Sequence, residues 1–255
     1  MTNISKESKL VRVRRDVAKG VAIYNVRQKR CWALVSADLQ KYVDKDIDWT
    51  DVDTVRKVIP LNQDGNYCVE IPPHCIVSKG HSYAGVLETI RKMTEIWIPI
   101  EYEDGGFRKF VIFNDYYVSP NGKFYVYLNR RALEFLITLK KGYFSTFHIP
   151  SFLKLTSSSS MDLFLYLSEN YNRNNKNWIV TIEEFKKRIG CNETYDFDKI
   201  KTKILEPAIK EYKKQNTLLT FTYIPEYSRE SLTSPRRGRR KIDCIAFEII
   251  MNTEL

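Results

Sequence analysis

Residues 194–248 place the tightest constraint on the fold: a lysine-striped helix, then two β-prone segments joined through Arg236-Arg237-Gly238-Arg239-Arg240-Lys241. On a wheel of about 100° per residue, the step set by 3.6 residues per turn, Phe197, Ile204, Ala208 and Tyr212 fall on the side of Ile200. Lys199, Lys203, Lys210, Lys213 and Lys214 fall on the other side. One face packs and the opposite face is positive. Only Glu206 interrupts the positive side, so the stripe can follow a phosphate backbone while shorter neighbours approach base edges. A merely solvated face would carry the same lysines, but the arginine run shifts the balance. Five cations in six residues repel one another unless water, salt or a polyanion screens them. The flanking segments 218–224 and 242–249 frame that run as the tip of a hairpin. The stretch 225–235 is long for a hairpin connection.

With 255 residues, 43% of them hydrophobic, the chain can bury a substantial core and is long enough for two ordinary domains. Its formal net charge of +10 is unevenly spread: residues 1–30 carry nine cations, Arg12, Arg14 and Arg15 among them, against Glu7 and Asp16 alone. No amphipathic apolar face accompanies the first fifteen residues, so nucleic acid is a better partner for them than a membrane surface. No uncharged apolar run approaches the length of a membrane span and no signal-peptide core is evident, which predicts a cytoplasmic protein. The five cysteines, Cys31, Cys68, Cys75, Cys191 and Cys244, form no C-x-x-C pair, as expected of reduced structural thiols.

The order of elements repeats. In the first half, residues 67–71 read as a strand, and a helix from Ser82 carries Val86, Leu87, Ile90 and Met93 at helical spacing, with Arg91 and Lys92 near its end. Strand-like segments at 96–102 and 107–113 flank Asp104-Gly105-Gly106, and others at 116–118 and 123–127 flank Pro120-Asn121-Gly122, the strongest hairpin turn of the chain. Residues 131–139 offer a short helix closed by Lys140-Lys141-Gly142. In the second half, residues 157–160 can cap a helix carrying Leu163, Phe164, Leu167 and Tyr171. Residues 178–180 make a short strand, Thr181 caps a helix with Glu184 three residues on, and Gly190 ends it. The striped helix follows. Short helix, turn, longer helix and hairpin is the order of a helix-turn-helix with a wing, whose second helix enters the major groove. Pro207 should kink or divide that helix.

These residues carry a family resemblance, strongest from Tyr127 to Phe247. Val126-Tyr127-Leu128-Asn129, Leu133-Glu134-Phe135-Leu136, Lys140-Lys141-Gly142-Tyr143 and the run from Ser160 to Leu167 follow its pattern. The most specific match is residues 181–190 followed by Tyr195, Phe197, Lys199 and Ile204-Leu205-Glu206-Pro207-Ala208-Ile209-Lys210-Glu211. Here the chain resembles the initiator Rep proteins of theta-replicating, iteron-type plasmids, and the proline in the striped helix belongs to that pattern. The resemblance implies an α+β fold of two tandem winged-helix domains, each gripping part of a directly repeated origin sequence in double-stranded DNA. It also implies non-enzymatic action, opening of an AT-rich region with the host replication initiator, recruitment of the replicative helicase, and a homodimer that represses its own gene.

Other chemistry finds less support. A rolling-circle nicking initiator needs a pair of histidines around one apolar residue and a tyrosine nucleophile, and His74, His81 and His148 form no such pair. No G-x-x-x-x-G-K-[ST] loop for ATP is present. Cys68, His74, Cys75 and His81 bring four zinc-type donors into fourteen residues, but lack the paired spacing by which one turn offers two ligands, so neither metal nor cofactor is expected. A transcriptional regulator without a replication role and an RNA-binding module remain as rival readings.

The expected organisation is a basic tail at 1–15, a first winged helix at 16–141, and a second with a basic wing at 142–255. Expected DNA contacts are Tyr195, Lys199, Lys203, Lys210, Lys213 and Lys214 on the second recognition helix, and Arg236, Arg237, Arg239, Arg240 and Lys241 on its wing. Ser82, Arg91 and Lys92 serve the first domain, and Arg12, Arg14 and Arg15 the tail. Lys201 stands at the helix start but toward the packed side.

Overall fold

The computed structural model describes residues 10–43, 45–76, 83–101, 106–139, 144–171, 177–227 and 242–252. The chain divides into two compact units at Ile149 and Pro150.

The first unit begins with strand β1 (Leu10–Arg14) and helix α1 (Arg15–Gly20). Helix α2 (Val26–Leu39) starts on a reciprocal cap: Asn25 accepts from the Gln28 amide, and the Gln28 side chain accepts from the Asn25 amide, each at 3.0 Å. Two amides otherwise without helical partners are thereby satisfied. Helices α3 (Val52–Val58), α4 (Pro73–Ile76) and α5 (Tyr83–Met93) follow, with strand β2 (Tyr67–Ile71) between α3 and α4. Then come β3 (Ile98–Glu101), β4 (Phe107–Phe110), β5 (Asp115–Val118), β6 (Phe124–Leu128), helix α6 (Arg130–Ile137) and β7 (Phe144–His148).

Three antiparallel sheets result: β1 with β7, β3 with β4, and β2-β6-β5. The register of the last sets Tyr67 opposite Leu128, Val69 opposite Val126 and Ile71 opposite Phe124, and all six are buried. Period-two alternation puts these apolar residues on one face. The β5–β6 turn is the one read from Pro120-Asn121-Gly122: the Gly122 amide donates to the Ser119 carbonyl at 2.9 Å, with Gly122 at φ +78°. That left-handed conformation is one glycine adopts without a Cβ penalty. Around α2 the core closes with Trp32 stacked on Phe147, ring centroids 5.7 Å apart.

Two expectations change here. Residues 10–14 are not free tail: they pair with β7 from Leu10↔His148 to Arg14↔Phe144, with Val11 and Val13 buried. Charge dominates that stretch on counting, yet Val-Arg-Val-Arg is also a strand alternation. The same pairing holds residues 144–148 in the first unit, so the division falls between Ile149 and Pro150 rather than at residue 142.

In the second unit, helix α7 (Ile149–Lys154) leads to α8 (Ser158–Asn170), capped by Ser157, and to strand β8 (Asn177–Thr181). Helix α9 (Ile182–Ile189) precedes α10 (Phe197–Ile200), a π-helical segment (Lys201–Leu205) and α11 (Glu206–Gln215), which run without interruption. Strands β9 (Leu219–Glu226) and β10 (Cys244–Met251) complete the sheet β8-β10-β9. Phe247 on the central strand meets Trp178, Phe185 and Phe221 at centroid distances of 5.7, 5.9 and 5.7 Å. Pro225 is tolerated because β9 is an edge strand, where a missing N–H costs no ladder bond.

Both units therefore share one topology. In each, a first strand, a pair of helices and two further strands build a three-stranded sheet whose last strand lies in the middle. The first unit inserts the β3–β4 hairpin between its second helix, α5, and strand β5.

The π segment explains how the striped helix keeps one face. Buried positions recur at Ile200, Ile204, Ala208 and Tyr212, a spacing of four that drifts about 40° per step on an ideal α-helix. The wider π turn underwinds the chain, and the Glu206 amide donates five residues back, to the Lys201 carbonyl. The same widening answers Pro207, which has no N–H and whose ring would press on the carbonyl four residues earlier. The chain thus meets the proline with a change of pitch at Lys201–Leu205 and stays helical through Gln215.

Candidate nucleic-acid interface

The helix-turn-helix of the second unit is set by short-range hydrogen bonds. Thr181 accepts from the Glu184 amide at 3.2 Å and starts α9, while Gly190 ends it in the left-handed region at φ +65°. In the turn, Asn192 accepts from the amide and hydroxyl of Thr194 at 2.9 and 2.8 Å, and Lys186 donates to the Glu193 carbonyl at 2.7 Å. Asp196 then caps α10, accepting from the Lys199 amide at 3.0 Å. Tyr195 stands half-buried in this turn, at the start of the helix.

From below, the helix is held by Tyr212, which is buried and donates to the Ser160 carbonyl at 2.7 Å. Glu211 accepts from both the amide and the hydroxyl of Thr156, at 2.5 and 2.6 Å, tying α11 to the segment ahead of α8. A buried ion pair joins α9 to α8: Arg188 and Glu169 meet at 2.9 Å with side chains 6% and 9% exposed. The Arg188 guanidinium also lies over the Tyr166 ring at 5.2 Å.

Lys199, Lys203, Lys210, Lys213 and Lys214 are all exposed, and their ammonium groups make no ion pair among the described residues. Lys201 is half-buried and stands 3.8 Å from Glu206, so the one acid on this face is turned toward the lysine nearest the core. Ile224 on β9 and Tyr227 just after it remain 64% and 41% exposed. Arg236, Arg237, Arg239, Arg240 and Lys241 lie outside the described residues, as does Ser82 of the first unit.

By topology, α5 is the counterpart of the striped helix, but its exposed side differs in charge. Ala84, Glu88, Arg91, Lys92 and Glu95 are exposed, whereas Val86, Thr89, Ile90 and Met93 are buried. Arg91 Nε and Nη2 donate to the two carboxylate oxygens of Glu88 at 2.9 and 3.0 Å, and Nη1 donates to Glu95 at 2.6 Å. Lys92 approaches Glu88 at 3.3 Å. The two cations expected to meet DNA here are thus already paired with two acids, at the three- and four-residue spacings that face each other on a helix. Sequence reading counted the cations and missed the acids, although that spacing was visible.

Hydrogen bonds from Arg91 and then Lys92 hold the Glu88 carboxyl down to about 2. A depressed carboxylate stabilises above the ordinary glutamate value and loses that contribution as pH falls toward about 2. An NMR titration should show a Glu88 midpoint near 2 that returns upward in Arg91→Ala; an ordinary midpoint in the parent would discount the pairing in solution.

At the N-terminus, Arg14 stacks on Phe135 at 3.9 Å and forms a fork with Asp16 at 3.1 and 2.6 Å. Arg12 lies 5.8 Å from the Phe144 ring, and Arg15 is exposed at the start of α1. Among the described residues, no group of three or more His, Cys, Asp or Glu is placed to hold a metal. Cys68 and His74 are exposed, and His81 lies outside the described residues. No helix among them is long and apolar enough to cross a membrane.

Two helix-turn-helix units, each with its own three-stranded sheet, define a tandem winged-helix protein. Residues 67–168 match the family described as "Initiator Replication protein, WH1", and residues 181–249 match "Initiator Rep protein, WH2". Together they cover more than half of the chain, which belongs to the initiator Rep protein family. A solved structure described as "Crystal structure of Pi initiator protein in complex with iteron DNA" shares the fold, with a TM-score of 0.72 and 18% identity. The match covers 98% of this chain and 100% of that one. A search of curated protein sequences gave no match.

Proposed function

We propose that the protein is a plasmid replication initiator that binds directly repeated origin DNA through its two winged helices. The observation that carries this reading is the row of five exposed lysines on the second helix of a helix-turn-helix, which make no ion pair among the described residues. A row of that kind neutralises phosphates and releases counterions. Family membership supplies the initiation step, and the likeness to an iteron-bound initiator supplies the class of DNA. The protein acts by binding rather than by making bonds: it positions itself on the repeats, promotes opening of the origin with the host initiator, and brings in the replicative helicase. A homodimer on its own promoter is a further part of this reading.

Selection of duplexes from a randomised library at near-physiological salt tests it. The expected result is a bipartite motif spanning about two turns of groove, found again as tandem copies in a plasmid origin that the protein maintains. Enrichment without origin-dependent maintenance would make it a transcriptional regulator. A stable protein-DNA adduct in divalent metal would make it a nicking enzyme.

A further inference from the structure

We infer that Arg91, fixed between Glu88 and Glu95 on α5, is a guanine-reading residue of the first winged helix, and that the two glutamates are positioning residues that aim it. The inference rests on the origin-binding reading and concerns the first of its two recognition helices.

The argument starts from donor geometry. A guanidinium has five N–H donors in a fixed plane. Two of them, on Nε and Nη2, form the side-on fork to Glu88, and one on Nη1 goes to Glu95. Two donors remain, one on each terminal nitrogen. Spent this way, the plane is oriented by its side while Nη1 and Nη2 each keep a hydrogen, the number needed to bond O6 and N7 of guanine bidentately in the major groove.

Charge separates this role from phosphate binding. The exposed side of α5 and the turn after it hold Glu88, Arg91, Lys92 and Glu95, two acids against two bases, all joined in ion pairs of 2.6 to 3.3 Å. A phosphate approaching such a face meets as much repulsion as attraction, whereas a neutral base edge does not. The striped helix of the second unit presents five exposed cations with no such pairing. The paired face of α5 is therefore better suited to a base edge than to a phosphate.

Access also favours a base. Exposed Ala84 begins this face, and a side chain that small lets the helix approach a groove closely, while half-buried Gly85 lines a cleft beside Asn25, Val26 and Arg27. A long arginine two turns further on then reaches a base edge without the helix withdrawing. On the exposed face described here, Arg91 alone combines length with a planar fork, since Lys92 offers a point charge.

The experiment compares full-length parent, Arg91→Lys, Arg91→Ala and Glu88→Gln in the same randomised-library selection, with competition binding at several salt concentrations. Arg91→Lys keeps the charge and loses the fork. The expected result is relaxation of one G·C preference by about 5- to 150-fold, the range for one bidentate base contact, with other positions and the salt slope unchanged. Glu88→Gln should relax the same position and steepen the salt slope, because a cation is released from its acid. Uniform weakening of all sequences in Arg91→Ala with a lower salt slope would make Arg91 a phosphate contact and overturn the inference. So would a preference profile untouched in Arg91→Lys. If the parent itself enriches no motif, the origin-binding reading fails and this one with it, a result distinct from failure at Arg91 alone. Thermal melts of each variant, expected to remain cooperative and to fall by no more than the loss of an exposed ion pair entails, show that altered selection is not loss of fold.

Discussion

Replacing Lys199, Lys203 and Lys210 together by glutamine should lower the salt slope of DNA binding by almost three units. Each phosphate neutralised on duplex DNA contributes about 0.9 to the slope of log affinity against log salt. Between 50 and 200 mM salt the parent should then lose about 40-fold more affinity than the variant. Sequence preference should survive, because contacts to phosphate carry no direct base information. The three side chains are exposed and outside the packed row, so the fold should be unaffected. Filter binding or fluorescence anisotropy across salt reads the slope directly. A slope equal to the parent's would mean that this face does not lie against the backbone and would remove the main support for the DNA-binding surface.

The largest stability effect is expected at Arg188. Changing it to methionine leaves the Glu169 carboxylate in a pocket where only 9% of its side chain is exposed. Breaking a buried pair from one side costs about 3–5 kcal/mol, against a total domain stability of about 5–15 kcal/mol. Arg188 also loses its place over Tyr166. The second unit should therefore melt many degrees earlier, while the first keeps its own transition if the two unfold independently. Pairing Arg188→Met with Glu169→Leu should recover part of the loss, since the carboxylate deprived of its guanidinium is then removed as well. Calorimetry on the three proteins decides the matter, and a single variant that melts with the parent would show that the pair is not a constraint on α8 and α9.

What was legible in the sequence were the features with short-range causes. Ser157, Thr181 and Gly190 mark helix ends because caps are local chemistry, and each marks one in the structure. Gly122 marks a turn for the same reason. The faces of the striped helix were readable because five apolar residues recur regularly, although the wheel could not show that a π segment keeps them aligned. Strand β1 was obscured because its partner β7 lies over 130 residues away, and no window of sequence contains both. Its arginines invited a reading by charge, while the structure gives Arg14 a ring and a carboxylate as neighbours. Of the candidate DNA contacts, the lysine row is where the sequence placed it. On α5 the cations were counted alone, whereas the structure pairs Arg91 and Lys92 with Glu88 and Glu95.

The central place of the last strand in each three-stranded sheet has a consequence for synthesis. In the second unit β8 and β9 do not touch one another; both depend on β10. As a nascent chain leaves the ribosome at about 5–20 residues per second, neither strand can find its neighbour until Cys244–Met251 emerges. The first unit meets the same condition at Phe124–Leu128 and again when Phe144–His148 returns to β1. Translation arrested shortly before Cys244 should thus release a chain whose first unit is finished and whose second still exposes two unpaired strand edges, the state most open to chaperones and proteases.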